Sequence, residues 1–211
     1  MAGLFITLEG ADGVGKSTQA QLLKEFLEAK NIEVLTLREP GSTVIGEQIR
    51  QILKNTDNKN MANYTEAYLF AAARAQIVEE IIKPQLAKGE VIVCDRFVDS
   101  SIVYQGIARG LGAEKIAQIN HYATEGITPD ITFLIDTPPQ IANWRKEDSA
   151  DRIEEEGLAF QDLVYQGYKS LAGQHKDRYI ILDGTCTIDQ IHQQIVDTII
   201  DTAWFYERVR R

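Results

Sequence analysis

The stretch LFITLEGADGVGKSTQ, residues 4–19, restricts the fold more than any other part of the chain. A short apolar run leads into a loop with glycines at 10, 13 and 15, and Lys16 and Ser17 follow at once. Leu22, Leu23, Phe26 and Leu27 then recur at helical spacing. A strand, a glycine turn and a helix in that order let backbone N–H groups curl around an anion. The positive end of the helix points at the same anion. The reading is a nucleoside triphosphate cradle over Gly10, Ala11, Asp12, Gly13, Val14, Gly15, Lys16, Ser17 and Thr18. Lys16 would reach the outer phosphates, and the Ser17 hydroxyl would ligate magnesium. Asp12 is out of place in such a loop, because a carboxylate repels the phosphates that the loop collects.

Further strands are expected at 32–37 (IEVLTL), 91–95 (VIVCD), 131–136 (ITFLID) and 179–183 (YIILD). Helical patterns fill the intervals at about 43–54, 64–87, 99–108, 113–124, 138–146, 157–173 and 188–206. Strands alternating with helices imply a parallel sheet covered on both faces, and near-continuous Val, Ile and Leu agrees with burial from two sides. The expectation is an α/β, three-layer P-loop fold with a five-stranded parallel sheet, in one domain over residues 1–211. KEDSADRIEEEG (146–157) is almost wholly charged or small. It reads as an exposed, mobile lid over about 145–157.

In such folds ligands sit beyond the carboxyl ends of the strands. Asp95, at the end of VIVCD, is therefore the expected second magnesium ligand beside Ser17. The net charge is −9, and no basic cluster precedes RVRR at the end, so a nucleic-acid partner is not expected. No apolar run approaches the roughly 20 residues that cross a bilayer. MAGLFITLEG reads as a first strand rather than a signal peptide. Cys94 and Cys186 suggest neither a disulfide framework nor a metal cluster, so a reducing, cytoplasmic setting is expected. A guanine-nucleotide switch should carry Asn-Lys-x-Asp; the only Asn-Lys is in NKNM (58–61), which lacks the Asp.

REPGST (38–43), FAAARAQIVEEIIKPQLAKGEVIVCDRF (70–97), SSIVYQG (100–106), TPDITFLID (128–136) and DRIE (151–154) follow the cradle in order. Jointly they are similar to the thymidylate kinases, over about residues 4–185. The resemblance implies phosphorylation of dTMP to dTDP by ATP with Mg²⁺, in dTTP synthesis, by a homodimer. It implies that Phe70 and Arg74 hold thymine. Tyr104 would pack on the deoxyribose and exclude a 2′-hydroxyl, and Asp12 would accept a hydrogen bond from the acceptor's 3′-hydroxyl. Arg38 and Arg96 suit the acceptor's monophosphate, since a guanidinium matches two phosphate oxygens, although each could serve an ion pair instead. Ser100, Ser101, Tyr104 and Gln105 share one helix start, where the serines could bond the base or cap the helix. The lid cation of this family would be Arg152, in DRIE, with Arg145 second; Asp151 and Glu154 are further candidates for the acceptor or a metal. Ala73 stands where relatives commonly have Asp, which removes a possible partner for Arg74. A deoxynucleoside kinase and a non-catalytic ATP-binding module are the competing readings.

Overall fold

The computed structural model describes residues 3–145, 151–153 and 155–209. Five strands, β1 (Leu4–Glu9), β2 (Val34–Arg38), β3 (Val91–Asp95), β4 (Ile131–Asp136) and β5 (Tyr179–Asp183), form one parallel sheet in the order β2-β3-β1-β4-β5. The helices are α1 (Lys16–Glu28), α2 (Val44–Lys54), α3 (Asn63–Ile77), α4 (Lys83–Lys88), α5 (Val98–Ser101), α6 (Ala113–Thr124), α7 (Pro139–Trp144), α8 (Leu158–Gln174), α9 (Ile188–Ile200) and α10 (Ala203–Val209). π-helical segments follow α3 (Val78–Ile82) and α5 (Ile102–Ala108).

Residue alternation in β1 explains the three layers. Leu4, Ile6 and Leu8 pack with Leu23 and Leu27 of α1 and Ile191, Ile195 and Ile199 of α9. Phe5 turns to the other face, against Ile77, Ile82 and Phe97. A fully buried side chain of this kind stabilises by about 1.5–3 kcal/mol. The polar residues on that second face are satisfied internally, as in the 2.9 Å bond between the Thr7 and Thr132 hydroxyls.

Three helices differ from the sequence reading. The span 64–87 is not a uniform α-helix but widens at Val78–Ile82, just before Pro84. Proline lacks an N–H and its ring crowds the carbonyl four residues back, and the wide turn relieves both. The span 99–108 becomes a short α5 and a π segment. The last helix breaks at Asp201–Thr202, where the Thr202 hydroxyl accepts the Phe205 N–H at 3.2 Å and starts α10. α10 packs on the sheet's own helices: Phe205 stacks on Phe26 with 6.2 Å between centroids, and Arg208 donates to the Gly89 carbonyl.

Candidate active site

β1 ends between β3 and β4, and Leu8 pairs with Asp95 across the β1–β3 register. The glycine loop and Asp95 are therefore brought together by the sheet itself. Gly10 has φ 136°, and a Cβ there would stand 2.9 Å from the Ile135 carbonyl oxygen, so the loop can leave β1 only through glycine. Beyond Gly15 the chain enters α1, whose first-turn N–H groups face the loop.

One cavity of about 530 Å³ runs from this loop to the second half of the site. Asp12, Gly13, Gly15, Lys16, Ser17 and Thr18 line one end, and Phe70, Arg74, Ser100, Ser101, Tyr104 and Gln105 the other. Gly10, Ala11 and Val14 support the loop from behind and do not line the cavity. At the donor end Lys16 Nζ donates to the Ala11 carbonyl at 2.6 Å. Burial, with Arg96 nearby, pushes its ammonium below the ordinary value against the pull of Asp95, Asp12 and Glu9. Ser17 Oγ lies 2.5 Å from Asp95 Oδ2. A hydroxyl and a carboxylate in contact are the hard oxygen donors that magnesium takes, with phosphate oxygens and water completing its shell. The pair fits the ion, and Ser17 and Asp95 would hold it.

Asp12 turns toward the other end of the cavity. Its carboxylate accepts from Arg96 Nη2 at 2.8 Å and from the Tyr104 hydroxyl at 3.3 Å. Arg96 has φ 71°, a left-handed conformation uncommon outside glycine, pinned by its N–H to the Leu8 carbonyl at 3.0 Å. Its guanidinium also donates to Ser100 (3.1 Å) and Tyr168 (3.0 Å) and stacks over the Tyr104 ring. Burial opposes its charge, but Asp12, Tyr104, Tyr168 and Asp95 together push its pKa well above the ordinary value. Behind it, the buried Glu9 accepts from the Phe97 N–H (2.8 Å), Ser100 (2.6 Å) and Tyr168 (2.9 Å). Burial, then Asp99, raises the Glu9 pKa.

Arg74 is 1% exposed. Its Nη1 donates to Ser101 (2.9 Å) and to Asn120, and its Nη2 to the Phe97 carbonyl (3.0 Å). Nη2 also stands 2.7 Å from Glu39 Oε2. These groups orient the guanidinium that lacks an aspartate at position 73. Its buried Nε has no hydrogen-bond partner among the described residues, which leaves one donor for a ligand. Phe70, half-buried, offers its ring to the same end. Burial raises the Glu39 carboxyl to about 7 despite Arg74 beside it.

Several expectations are corrected. Neither serine caps α5: the helix has no side-chain cap, and Ser100 and Ser101 bond Glu9 and Arg74 instead. Arg38 lines the cavity, but its Nη2 holds both Glu47 oxygens at 3.0 Å on an exposed face. Such a pair is worth about 0–1 kcal/mol, so it yields readily to phosphate. Arg152 is not brought to the cavity. It is buried, donating to Glu66 (2.7 Å) and the Leu53 carbonyl (2.9 Å), so this part of the charged segment is not a solvated flap. Arg145 does line the cavity, and donates to the Gly184 carbonyl at 3.0 Å. Asp151 pairs with Lys54 at 2.6 Å; residues 146–150 and Glu154 lie outside the described residues. Gln105 donates to Glu66 at 2.9 Å while lining the cavity.

Sequence reasoning missed Glu9, Glu39, Arg50, Asn120 and Tyr168. Glu9 and Glu39 stood inside the quoted motifs, each as a carboxylate next to a strand end. Asn120 carried a usable signal, a polar residue one turn after Ile116 on the buried side of α6. Arg50, which lines the cavity and donates to the Pro40 carbonyl at 2.9 Å, had none.

A model of the thymidylate kinase family matches residues 8–195. A thymidylate kinase of an Exiguobacterium species is 43% identical over 203 residues, covering 95% of this chain and 96% of the relative. That of Caldanaerobacter subterraneus subsp. tengcongensis is 45% identical over 200 residues, with 94% and 96% covered. That of Thermosipho africanus is 47% identical over 193 residues, with 91% and 95% covered. With a phosphate-type loop and a cluster of aromatic, arginine and serine side chains lining one cavity, and relatives matched nearly end to end, the chain belongs to the thymidylate kinase family.

Proposed function

We propose that this chain phosphorylates dTMP to dTDP, taking the phosphate from ATP with Mg²⁺, and that it works as one kinase domain. The observation that carries the reading is Asp12, a member of the phosphate loop bonded to Arg96 and Tyr104 of the acceptor half. Such a link fixes the distance between the two substrates, and positioning supplies most of the acceleration in phosphoryl transfer.

In this scheme ATP lies along Gly10–Thr18 with Lys16 at its outer phosphates. Thymine stacks on Phe70, and the free Nε of Arg74 donates to a base carbonyl. Tyr104 lies against the sugar, and Asp12 holds its 3′-hydroxyl. Arg96, Arg38 and Arg50 receive the acceptor phosphate. That phosphate is already anionic near neutral pH, so its oxygen attacks the γ-phosphorus with no strong base. The β–γ bridging bond breaks and ADP leaves. Ser17 and Asp95 would hold magnesium, which would supply positive charge against the charge that builds on the transferred group. Arg145 is the cation of this cavity best placed to act from the lid side, ahead of Arg152.

A coupled ADP-release assay with ATP, Mg²⁺ and a panel of nucleosides and nucleoside monophosphates tests the reading. Turnover with dTMP is expected. Turnover with free thymidine alone would favour a nucleoside kinase, and ATP binding without turnover a regulatory module. Asp12→Ala should lower kcat/KM for dTMP by about ten- to a hundredfold, the size of a charge-assisted hydrogen bond, while ATP still binds in calorimetry. Unchanged dTMP kinetics would overturn that role.

No helix among the described residues is long and apolar enough to cross a membrane. A cytoplasmic homodimer that binds neither membrane nor nucleic acid completes the proposal, the dimer by analogy with the family. Sedimentation of the chain tests it, with a monomer at micromolar concentration as the contrary result.

A further inference from the structure

Glu66 of α3 lies outside the cavity and no step above uses it, yet four donor groups converge on its buried carboxylate. Oε1 accepts from Gln105 Nε2 (2.9 Å) and Arg109 Nε (3.3 Å); Oε2 accepts from Arg152 Nη2 (2.7 Å) and Arg109 Nη2 (3.3 Å). Burial works against the charge of Glu66, but Gln105, Arg109 and Arg152 outweigh it and keep the carboxyl below its ordinary pKa. Arg152 is gripped elsewhere too. Its Nε donates to the Leu53 carbonyl (2.9 Å) and its backbone N–H to the Lys54 carbonyl (3.3 Å). The neighbouring Asp151 pairs with Lys54 (2.6 Å). Leu53, Lys54, Gln105, Asp151 and Ile153 all line the cavity, whereas Arg152 and Glu66 stand behind them.

We propose that Glu66 is a positioning residue for the acceptor: by gripping Arg152 it fixes residues 151–153 as a wall of the acceptor pocket, and Arg152 acts through that wall rather than on the transferred phosphate. The idea rests on the dTMP kinase reading. Both nitrogens of the Arg152 guanidinium that make contacts are committed to Glu66 and Leu53, so a phosphate could recruit it only by stripping a buried carboxylate of a cation. Removing one cation from a buried carboxylate is costly, and Arg109, at 3.3 Å from each Glu66 oxygen, would offset only part of the loss of the closer 2.7 Å contact. Gln105 ties the same carboxylate to the segment that carries Tyr104, so residues 151–153 and that segment share one anchor.

Steady-state kinetics of Glu66→Gln, Arg152→Gln and the double variant, with dTMP and ATP varied in turn, test the proposal. Each single change should raise the KM for dTMP about tenfold, as expected for one contact to a charged group. The KM for ATP and kcat should move far less, a split that general destabilisation would not produce. The double variant should match the worse single one, because the two residues make one interaction. Multiplied effects in the double variant would overturn the proposal. So would an Arg152→Gln variant that loses kcat about a hundredfold with its dTMP KM intact, since that is the pattern of a group acting in the transition state. Should Glu66→Gln fail to fold, Arg152→Gln carries the same comparison. Absence of turnover by the wild-type chain on dTMP would sink the functional reading instead. The grip is then read by trypsin cleavage after Arg152, expected to accelerate in Glu66→Gln; an unchanged cleavage rate overturns it.

Discussion

In Lys16→Met, kcat falls by about 10²–10³-fold, the usual cost of removing one preorganised donor from a site where charge develops. The loss falls on turnover because the ammonium is already in place. It sits buried within the loop, 2.6 Å from the Ala11 carbonyl, and needs only to exchange that oxygen for a phosphate oxygen. A charge held in a dry site meets the transferred group without first shedding water, so its effect there exceeds that of a solvated lysine. Met keeps the length of the side chain, so the loop should retain its shape and the melting temperature of the free chain should change little. Single-turnover kinetics at saturating ATP separate chemistry from binding. A kcat within about threefold of wild type would show that the phosphate is transferred elsewhere.

Arg74→Met is the second large effect, and it reaches both stability and specificity. Glu39 loses the guanidinium 2.7 Å away and becomes a buried carboxyl without a counter-charge. Removing one partner of a buried pair typically costs about 3–5 kcal/mol. In a chain of 211 residues that corresponds to a fall in melting temperature of roughly 10 °C or more. The pH dependence has a definite sign. Folded Glu39 holds its proton up to about 7, against 4.5 ordinarily, so it binds protons more tightly folded than unfolded. Its contribution is therefore fully present below about pH 4.5 and is lost as pH rises through about 7, by some 3 kcal/mol at most. Without Arg74 that loss continues to higher pH, so the gap between variant and wild type widens above pH 7. Thermal melts at pH 5, 7 and 8.5 measure it. A constant gap would mean that Glu39 is not the group exposed by the change. On the proposed reading the same variant should also raise the KM for dTMP, because the Arg74 Nε, which has no partner among the described residues, is removed.

Much of this site could be read before the structure. Four of the five strands begin and end where the apolar runs do. β1, β3 and β4 are buried on both faces and so read as near-continuous apolar runs, and the edge strand β5 keeps such a run although Ile181 is exposed. Lys16, Ser17 and Asp95 follow from local order along the chain, since strand ends and loop geometry are short-range properties. What stayed hidden is what depends on distant packing. Arg152 and Arg145 look alike as charged residues in a polar segment, and only the Glu66 carboxylate, 86 positions from Arg152, separates them. Glu39 reads as part of a turn until α3 brings Arg74 against it. Asn120 and Tyr168 each sit in an ordinary helix, and their roles come from the partners that tertiary contacts supply.

The widened turn over Ile102–Ala108 has a consequence for how this protein tolerates change in length. A π turn holds one residue more than an α turn, and each residue of a regular helix swings the next side chain by about 100°. Gln105 and Arg109 reach the same carboxylate with that surplus residue accommodated between the start of α5 and the end of the segment. Deleting one position here would restore a regular helix and rotate Arg109 off Glu66, whereas the same deletion in an exposed loop would be absorbed. Within this stretch the number of residues is therefore held more tightly than the identity of its apolar members.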